Sequence, residues 1–334
     1  PLHLAIEKGN IEMVKLLLSN DKLDINAINT NCFYSYSGGG DKYDTRTERT
    51  ALHIAVEKGN VEIVKLLLEK DNLFINLHHR EYDMFCEMKS EKTVLYLAIE
   101  KENLEIVNLL ASNKNLYINQ KSQFCKHTKT KEKTALHLAV EKGNAIIVRV
   151  LFNNPNLDAN IKSLTLNGSD QIFLYSTKEK VALHTAIKKG NIEIIKIFIE
   201  NKKVDVNSYL IKIERNDERT RTTYENAPIT LAVEKENVEV VKLLLTRDDL
   251  DINIIKRYDH DYYDMKTIEE TAFHIAVEKG NAKITKLLLE NDKINANSQY
   301  KCITALKWLQ KDPDDPTINT ELKSALKIAI EKKN

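Results

Sequence analysis

Apolar positions recur along this chain in a short, repeated pattern. In residues 50–76, TALHIAVEKGNVEIVKLLLEKDNLFIN, Leu52, Ala55 and Val56 fall at i, i+3 and i+4, which is one face of a helix. Thr50 is placed to cap its start, and Gly59 suits a left-handed corner at its end. Asn60 then predicts the N-cap of a second helix, with Glu62 in the first turn, where the helix dipole favours an acid. The apolar set of this second helix, Val61, Ile63, Val64, Leu67 and Leu68, is too broad for burial on one side. It predicts a helix wedged between two neighbours, with Glu62, Lys65 and Glu69 toward water.

The same pattern returns at PLHLAIEKGN, TVLYLAIEKEN, TALHLAVEKGN, VALHTAIKKGN, APITLAVEKEN and TAFHIAVEKGN. Its starts are Pro1, Ala51, Val94, Ala135, Ala182, Pro228 and Ala272, and 25 residues after each stands an asparagine: Asn26, Asn76, Asn119, Asn160, Asn207, Asn253 and Asn297. A core of constant length is what stacking in register requires. TALHIAVEKGNVEIVKLLL resembles the two-helix motif of the ankyrin repeat, whose usual start is Thr-Pro-Leu-His, and the resemblance covers nearly the whole chain. It implies a mostly α fold: a solenoid of stacked helix pairs with a β-hairpin finger at each junction. It also implies protein binding without catalysis. Two departures stand out. Glu102 and Glu236 occupy the corner glycine position, and each costs about 1 kcal/mol if the corner keeps its shape. Ala227 and Thr230 replace the Thr and His of the sixth repeat, so repeats 3 and 6 are the expected softer joints.

All variation in length lies in the fingers. Successive starts are 50, 43, 41, 47, 46 and 44 residues apart, against an ankyrin period of about 33, which leaves six fingers of 15 to 24 residues. Finger 4, IKSLTLNGSDQIFLYSTKEK, has β-prone runs around Asn167-Gly168, a hairpin-turn signal. Finger 5 alternates Tyr209, Ile211 and Ile213 with Lys212 and Glu214. Two strands take about 9–10 Å of sheet width, close to the helix spacing. Adjacent fingers are therefore expected to join into an antiparallel sheet along the edge of the stack. At the C-terminus, 304–311 predicts a short helix, Pro313 and Pro316 break it, and 320–333 predicts another. The domain reading is seven repeats over 1–297 and a degenerate or capping repeat over 298–334. A rival notes that SALKIAIEKKN echoes TALHIAVEKGN, so that a further repeat begins there.

Lys and Arg number 50 against 49 Asp and Glu, a balance that argues against a surface built for nucleic acid or anionic lipid. No apolar run approaches the roughly 18–20 residues of a membrane span. Four scattered cysteines, Cys32, Cys86, Cys125 and Cys302, form no disulfide framework and favour a reducing, cytoplasmic location. The chain opens inside a repeat, so its native start is expected upstream of Pro1.

Catalytic motifs are missing: there is no Walker loop, dinucleotide fingerprint, H-E-x-x-H or G-x-S-x-G. No catalytic residue and no cofactor or small-molecule substrate is expected. His3, His53, His137, His184 and His274 share one repeat slot and are read as scaffold hydrogen-bonders. Cys32, Cys86 and Cys125 lie near His78, His79 and His127, but no C-x-x-C pair exists and Cys86 sits at a different depth, so no metal is expected. The lysines of finger 3 (Lys121, Lys126, Lys129, Lys131, Lys133) are read as a solvated edge.

Tyrosine is the most informative residue, with ten of thirteen in fingers. Tyr34, Tyr36, Tyr43, Tyr82, Phe85, Phe124, Phe173, Tyr175, Tyr209, Tyr224, Tyr258, Tyr262 and Tyr263 are the candidate partner-binding set, since aromatic side chains anchor interfaces. They also suit cross-strand pairs, and about half are expected to face a partner if one face of the sheet is free. The reading is a scaffold that binds protein through fingers and first helices, with neither nucleic acid nor membrane as partner. Alternatives are a component of a cytoskeletal or filament assembly, and the targeting segment of a larger enzyme or effector.

Overall fold

The structure, a computed structural model, describes residues 1–36, 42–83, 87–126, 128–168, 175–215, 221–261, 264–306 and 319–332, except the side chains of 33–36, 42–44, 264, 305, 306 and 319. The chain divides into two compact units, Pro1–Leu157 and Asp158–Asn334.

In the first unit four helix pairs alternate with three hairpins. The helices are α1 (Leu2–Glu7), α2 (Ile11–Leu18), α3 (Ala51–Lys58), α4 (Val61–Leu68), α5 (Val94–Glu100), α6 (Leu104–Ala111), α7 (Ala135–Lys142) and α8 (Ala145–Phe152). The strands are β1 (Asn29–Tyr36), β2 (Lys42–Arg49), β3 (His78–Tyr82), β4 (Met88–Thr93), β5 (Lys121–Lys126) and β6 (Lys129–Thr134). Each hairpin is antiparallel, and β2 pairs with β3 and β4 with β5, so neighbouring fingers join.

The second unit repeats the plan. Its helices are α9 (Ala182–Lys189), α10 (Ile192–Glu200), α11 (Pro228–Glu234), α12 (Val238–Leu245), α13 (Ala272–Glu278), α14 (Ala282–Leu289) and α15 (Ala325–Lys332). Its strands are β7 (Ser163–Gly168), β8 (Tyr175–Lys180), β9 (Leu210–Arg215), β10 (Arg221–Asn226), β11 (Ile255–Asp261), β12 (Asp264–Thr271), β13 (Gln299–Leu306) and β14 (Asn319–Ser324). All pair antiparallel in chain order.

The helix pairs form as the pattern dictates. Thr50 Oγ1 accepts from His53 N, Gly59 takes φ 69°, and Asn60 caps α4 by accepting from Ile63 N. Ile63, Val64 and Leu67 are wholly buried, which is the wedge expected of a second helix. Glu102 and Glu236 adopt φ 58° and 54°, so the corner keeps its left-handed shape without glycine. In the sixth repeat Thr230 stands in for histidine, its hydroxyl accepting from Ala227 N at 3.0 Å.

Three expectations are corrected. The solenoid of helix pairs stands, but mostly α describes it only in part: about 40% of the described residues are helical, because each helix is about two turns long while the fingers add antiparallel strands. Asn167 and Gly168 are not the turn of finger 4. They belong to the ladder, opposite Ser176 and Tyr175, since pairing starts at Ser163–Lys180 and runs past them. At the C-terminus, Thr304, Ala305 and Leu306 are strand, paired with β12 and β14, and 319–324 is strand as well. The run Ile303-Thr304 is β-prone, and ladder bonds on both sides outweigh its helical spacing. The start of the next helix is Ala325, within the echo SALKIAIEKK.

Candidate partner-binding face

The invariant asparagine proves to be a clamp between repeats. Asn26 Nδ2 donates to Asn72 O at 2.7 Å, and its Oδ1 accepts from Phe74 N at 2.7 Å. Asn76 repeats this with Asn115 O and Tyr117 N, Asn160 with Lys203 O and Asp205 N, Asn207 with Asp249 O and Asp251 N, and Asn253 with Lys293 O and Asn295 N. A primary amide offers one donor end and one acceptor end, so a single side chain satisfies both groups of the next loop.

The histidine slot is structural, as its periodicity suggested. His274 Nε2–H donates to Ser298 O at 2.9 Å while Nδ1 accepts from the Thr271 hydroxyl at 2.9 Å. Thr50–His53 and Thr134–His137 share the second contact at 2.8 Å. Burial holds His53 down at about 3, with His79 adding to the effect.

A second clamp ties four of the fingers to their own first helices. Arg49 Nη1 donates to Glu57 at 2.8 Å, Lys92 to Glu100 at 3.1 Å, Lys323 to Glu331 at 2.7 Å, and Lys133 also bonds Glu141. This pairing was missed in the sequence, although its signal is there: a base two residues before the start and an acid six after it. Around Glu57 it widens. His79, itself buried, places Nδ1 3.1 Å from Glu57 Oε1, and Arg49 also reaches Glu7 at 3.4 Å. Burial raises the Glu57 carboxyl, but hydrogen bonds from His79 and Arg49 outweigh it and hold the group at about 2.

These anchors fix which face of each finger looks toward the helices. In the first unit Ser90 shares the helix-facing side with Lys92 by strand alternation, and Phe124 lies opposite Ser90. The Phe124 ring sits 5.1 Å from that of Tyr96, a buried residue of α5, so Phe124 is scaffold. Tyr82 faces the other way, with Arg46 over its ring at 5.5 Å and its hydroxyl 3.3 Å from Glu48.

In the second unit Asn226 donates to Glu234 of α11 at 2.8 Å, so Tyr224, two residues earlier, also faces the helices. One row across the strands reads Lys178, Lys212, Tyr224, Tyr258. The two tyrosine rings are 4.9 Å apart, and Lys212 Nζ lies 5.3 Å over Tyr224. Tyr175 is on the opposite face, covered by Arg215 at 5.0 Å. Tyr209 is half-buried before β9, and burial pushes its hydroxyl up. Tyr34, Tyr36 and Tyr43 lie on β1 and β2, their side chains not among those described, and Phe85, Phe173, Tyr262 and Tyr263 lie outside the described residues. Among the described residues of the candidate set, then, the structure brings Tyr224 and Tyr258 together.

Charges in the fingers are largely matched across strands, as in Lys121–Glu132 at 3.2 Å and Arg257–Glu269 at 2.9 Å. Among the described residues no group of three His, Cys, Asp or Glu is arranged to hold a metal ion, and Cys86 and His127 lie outside them. Among those residues, too, no helix is long and apolar enough to cross a membrane.

Helix pairs locked by left-handed corners, stacked through side-chain clamps and fringed by hairpins define a repeat protein of the ankyrin type. The family model described as ankyrin repeats (3 copies) matches residues 1–78, 27–122, 71–163, 160–257 and 208–300, and the chain belongs to that family. No curated protein matches it. Ankyrin repeats generally mediate protein–protein interaction and are typically not enzymes.

Proposed function

We propose that this chain is a non-enzymatic scaffold whose protein partner lies between the helix-facing side of the fingers and the first helices. The observation that supports this best is the Tyr224–Tyr258 pair, an aromatic patch on the side of the sheet that looks toward α11 and α13. Tyrosine gives rigid apolar area with a polar tip, which suits an interface at small cost in entropy. Tyr82 and Tyr175 on the opposite face are covered by arginines and are read as ornament of the sheet. Sparse cysteines favour an intracellular setting. Residues 1–297 serve as seven repeats, and 298–334 as a degenerate or capping repeat.

A photo-crosslinking residue placed at 258 or at 175 tests the reading. Crosslinks to protein from 258 and not from 175 are expected. Crosslinks confined to 175 would move the contact to the far side of the fingers.

A further inference from the structure

In the loop after each second helix, 23 residues from the repeat start, one slot recurs. Four repeats fill it with aspartate, whose carboxylate closes a local turn. Asp24 accepts from Asn26 N at 3.0 Å, Asp158 from Asn160 N at 2.9 Å, Asp205 from Asn207 N at 2.8 Å and Asp251 from Asn253 N at 3.0 Å. Bonds of this kind are what suit aspartate to turns. The second and third repeats give that bond up, because their slots hold Phe74 and Tyr117.

The core does not reclaim these rings. Phe74 is 64% exposed and Tyr117 is 70% exposed, although the next residue in each loop, Ile75 or Ile118, is buried. The next most exposed aromatic among the described side chains, Tyr175, reaches 39%. The asparagine clamp holds both at the same point of successive loops: Phe74 N donates to Asn26 Oδ1 and Tyr117 N to Asn76 Oδ1, each at 2.7 Å. Asp24 is the matching residue one repeat earlier, and all three lie in the first unit. The row thus reads acid, aromatic, aromatic, with a step of about 8–10 Å set by helix packing and hairpin width.

That step matches one known periodicity. A polyproline II helix has three residues per turn and rises about 3.1 Å per residue, so every third residue returns to the same face after about 9.3 Å. The charges add a direction. Residues 20–26 carry Asp21, Lys22 and Asp24, residues 70–76 carry Lys70 and Asp71, and residues 113–119 carry Lys114 alone. The row therefore runs from net acid to net base. Asp24 is exposed, and its turn bond engages Oδ1, so the second oxygen can take a base.

We propose that Asp24, Phe74 and Tyr117 form a docking row for a proline-rich protein segment in the polyproline II conformation. Its base meets Asp24, and prolines three and six residues further on pack against Phe74 and Tyr117. Such a segment is ordered before it binds, so little conformational freedom is lost. Its carbonyls are free of internal hydrogen bonds, and the Tyr117 hydroxyl offers them a donor. Lys114 opposes the reversed segment, which would bring its base to that end. The row is separate from the tyrosine pair on the fingers and does not depend on it.

The test is the binding of the labelled peptides RPPPPPP, EPPPPPP and RGGGGGG to the full chain, read by fluorescence anisotropy at low ionic strength. RPPPPPP should bind about tenfold more tightly than RGGGGGG. It should also exceed EPPPPPP by about threefold, a margin that shrinks with salt. Phe74→Asp and Tyr117→Asp should each weaken RPPPPPP about tenfold. Both return the slot to the residue used elsewhere in the chain, so thermal denaturation should find them no less stable than the parent. In Asp24→Lys the order of RPPPPPP and EPPPPPP should invert. Absence of binding, equal affinity for RGGGGGG, unchanged affinity in either aspartate variant, or an unchanged order in Asp24→Lys overturns the proposal. Vesicles of phosphatidylcholine and phosphatidylserine are the last probe. Capture by vesicles that is lost in both aspartate variants, without peptide binding, would assign the rings to a membrane surface instead. Crosslinks from position 258 report on the finger face alone, so failure here leaves that reading intact.

Discussion

Lys142 Nζ lies 2.6 Å from Glu102 Oε1, joining the end of one first helix to the corner of the preceding repeat. Glu102 holds φ 58°, a conformation that costs a residue with a Cβ about 1 kcal/mol. The ion pair is solvent-exposed and returns about 0–1 kcal/mol. At the true glycine corner, Gly59, an added Cβ would meet Asn103 Nδ2 at 3.5 Å, which is ordinary contact, so the penalty is torsional rather than steric. Glu102→Gly is therefore expected to stabilise the chain by about 0.5–1 kcal/mol or leave it unchanged. Urea unfolding measures this. A clear loss of stability would mean that the Lys142 contact outweighs the strain.

Asn76→Ala removes both bonds to the next loop, at Asn115 O and Tyr117 N. A destabilisation of about 1–3 kcal/mol is expected. Asn76→Asp keeps the acceptor and loses the donor, and should fall between. Amide exchange at Tyr117 is the direct check, and it should rise in the alanine variant and not in the aspartate.

Neighbouring groups around the first finger junction make the chain sensitive to acid, His53 and Glu57 among them. His53 falls from 6.5 to about 3 through burial, so the native state gains stability above pH 6.5 and loses it as pH falls from there toward 3. Glu57 is held at about 2 against 4.5 unfolded, so its contribution is complete above pH 4.5 and lost as pH falls toward 2. Both act in the same direction. Urea midpoints should decline from pH 6.5 downward, and Glu57→Gln should flatten the part below 4.5. An unchanged profile in that variant would show that Glu57 has no such role.

Val181 replaces the capping threonine of the fifth repeat and is buried. Beneath it, His184 Nδ1 is buried without a hydrogen-bond partner among the described residues. Val181→Thr should give Nδ1 the hydroxyl that His53, His137 and His274 receive, and stabilise the chain by about 1 kcal/mol. Thermal denaturation decides it, and a fall in Tm would mean that the slot rejects the hydroxyl.

The helix pairs were legible because their signal is local: an N-cap, an apolar face and a corner within nine residues, copied at constant length. The joining of fingers was legible from spacing alone. What failed did so where two local signals competed. Asn167-Gly168 has turn chemistry, but register is set from the finger base at Ser163–Lys180, and the count of residues carries the pair into the ladder. The stretch at 304–306 has helical spacing, but β12 offers it an open edge, which no window of the sequence displays. The aromatic set was too wide for a related reason. Alternation puts neighbours on opposite faces, and only the anchors Asn226–Glu234 and Lys92–Glu100 reveal which face is which.

Hairpin β9–β10 is flanked by β8 on one side and β11 on the other. Cutting it out would leave two raw flanks about 10 Å apart, held open by helices that cannot slide together, and ready to recruit strands from another molecule. Such a hairpin can be trimmed or lengthened only from its far end, between Arg215 and Arg221. Variety in this protein is thus confined to the tips, where a new sequence disturbs nothing beneath it.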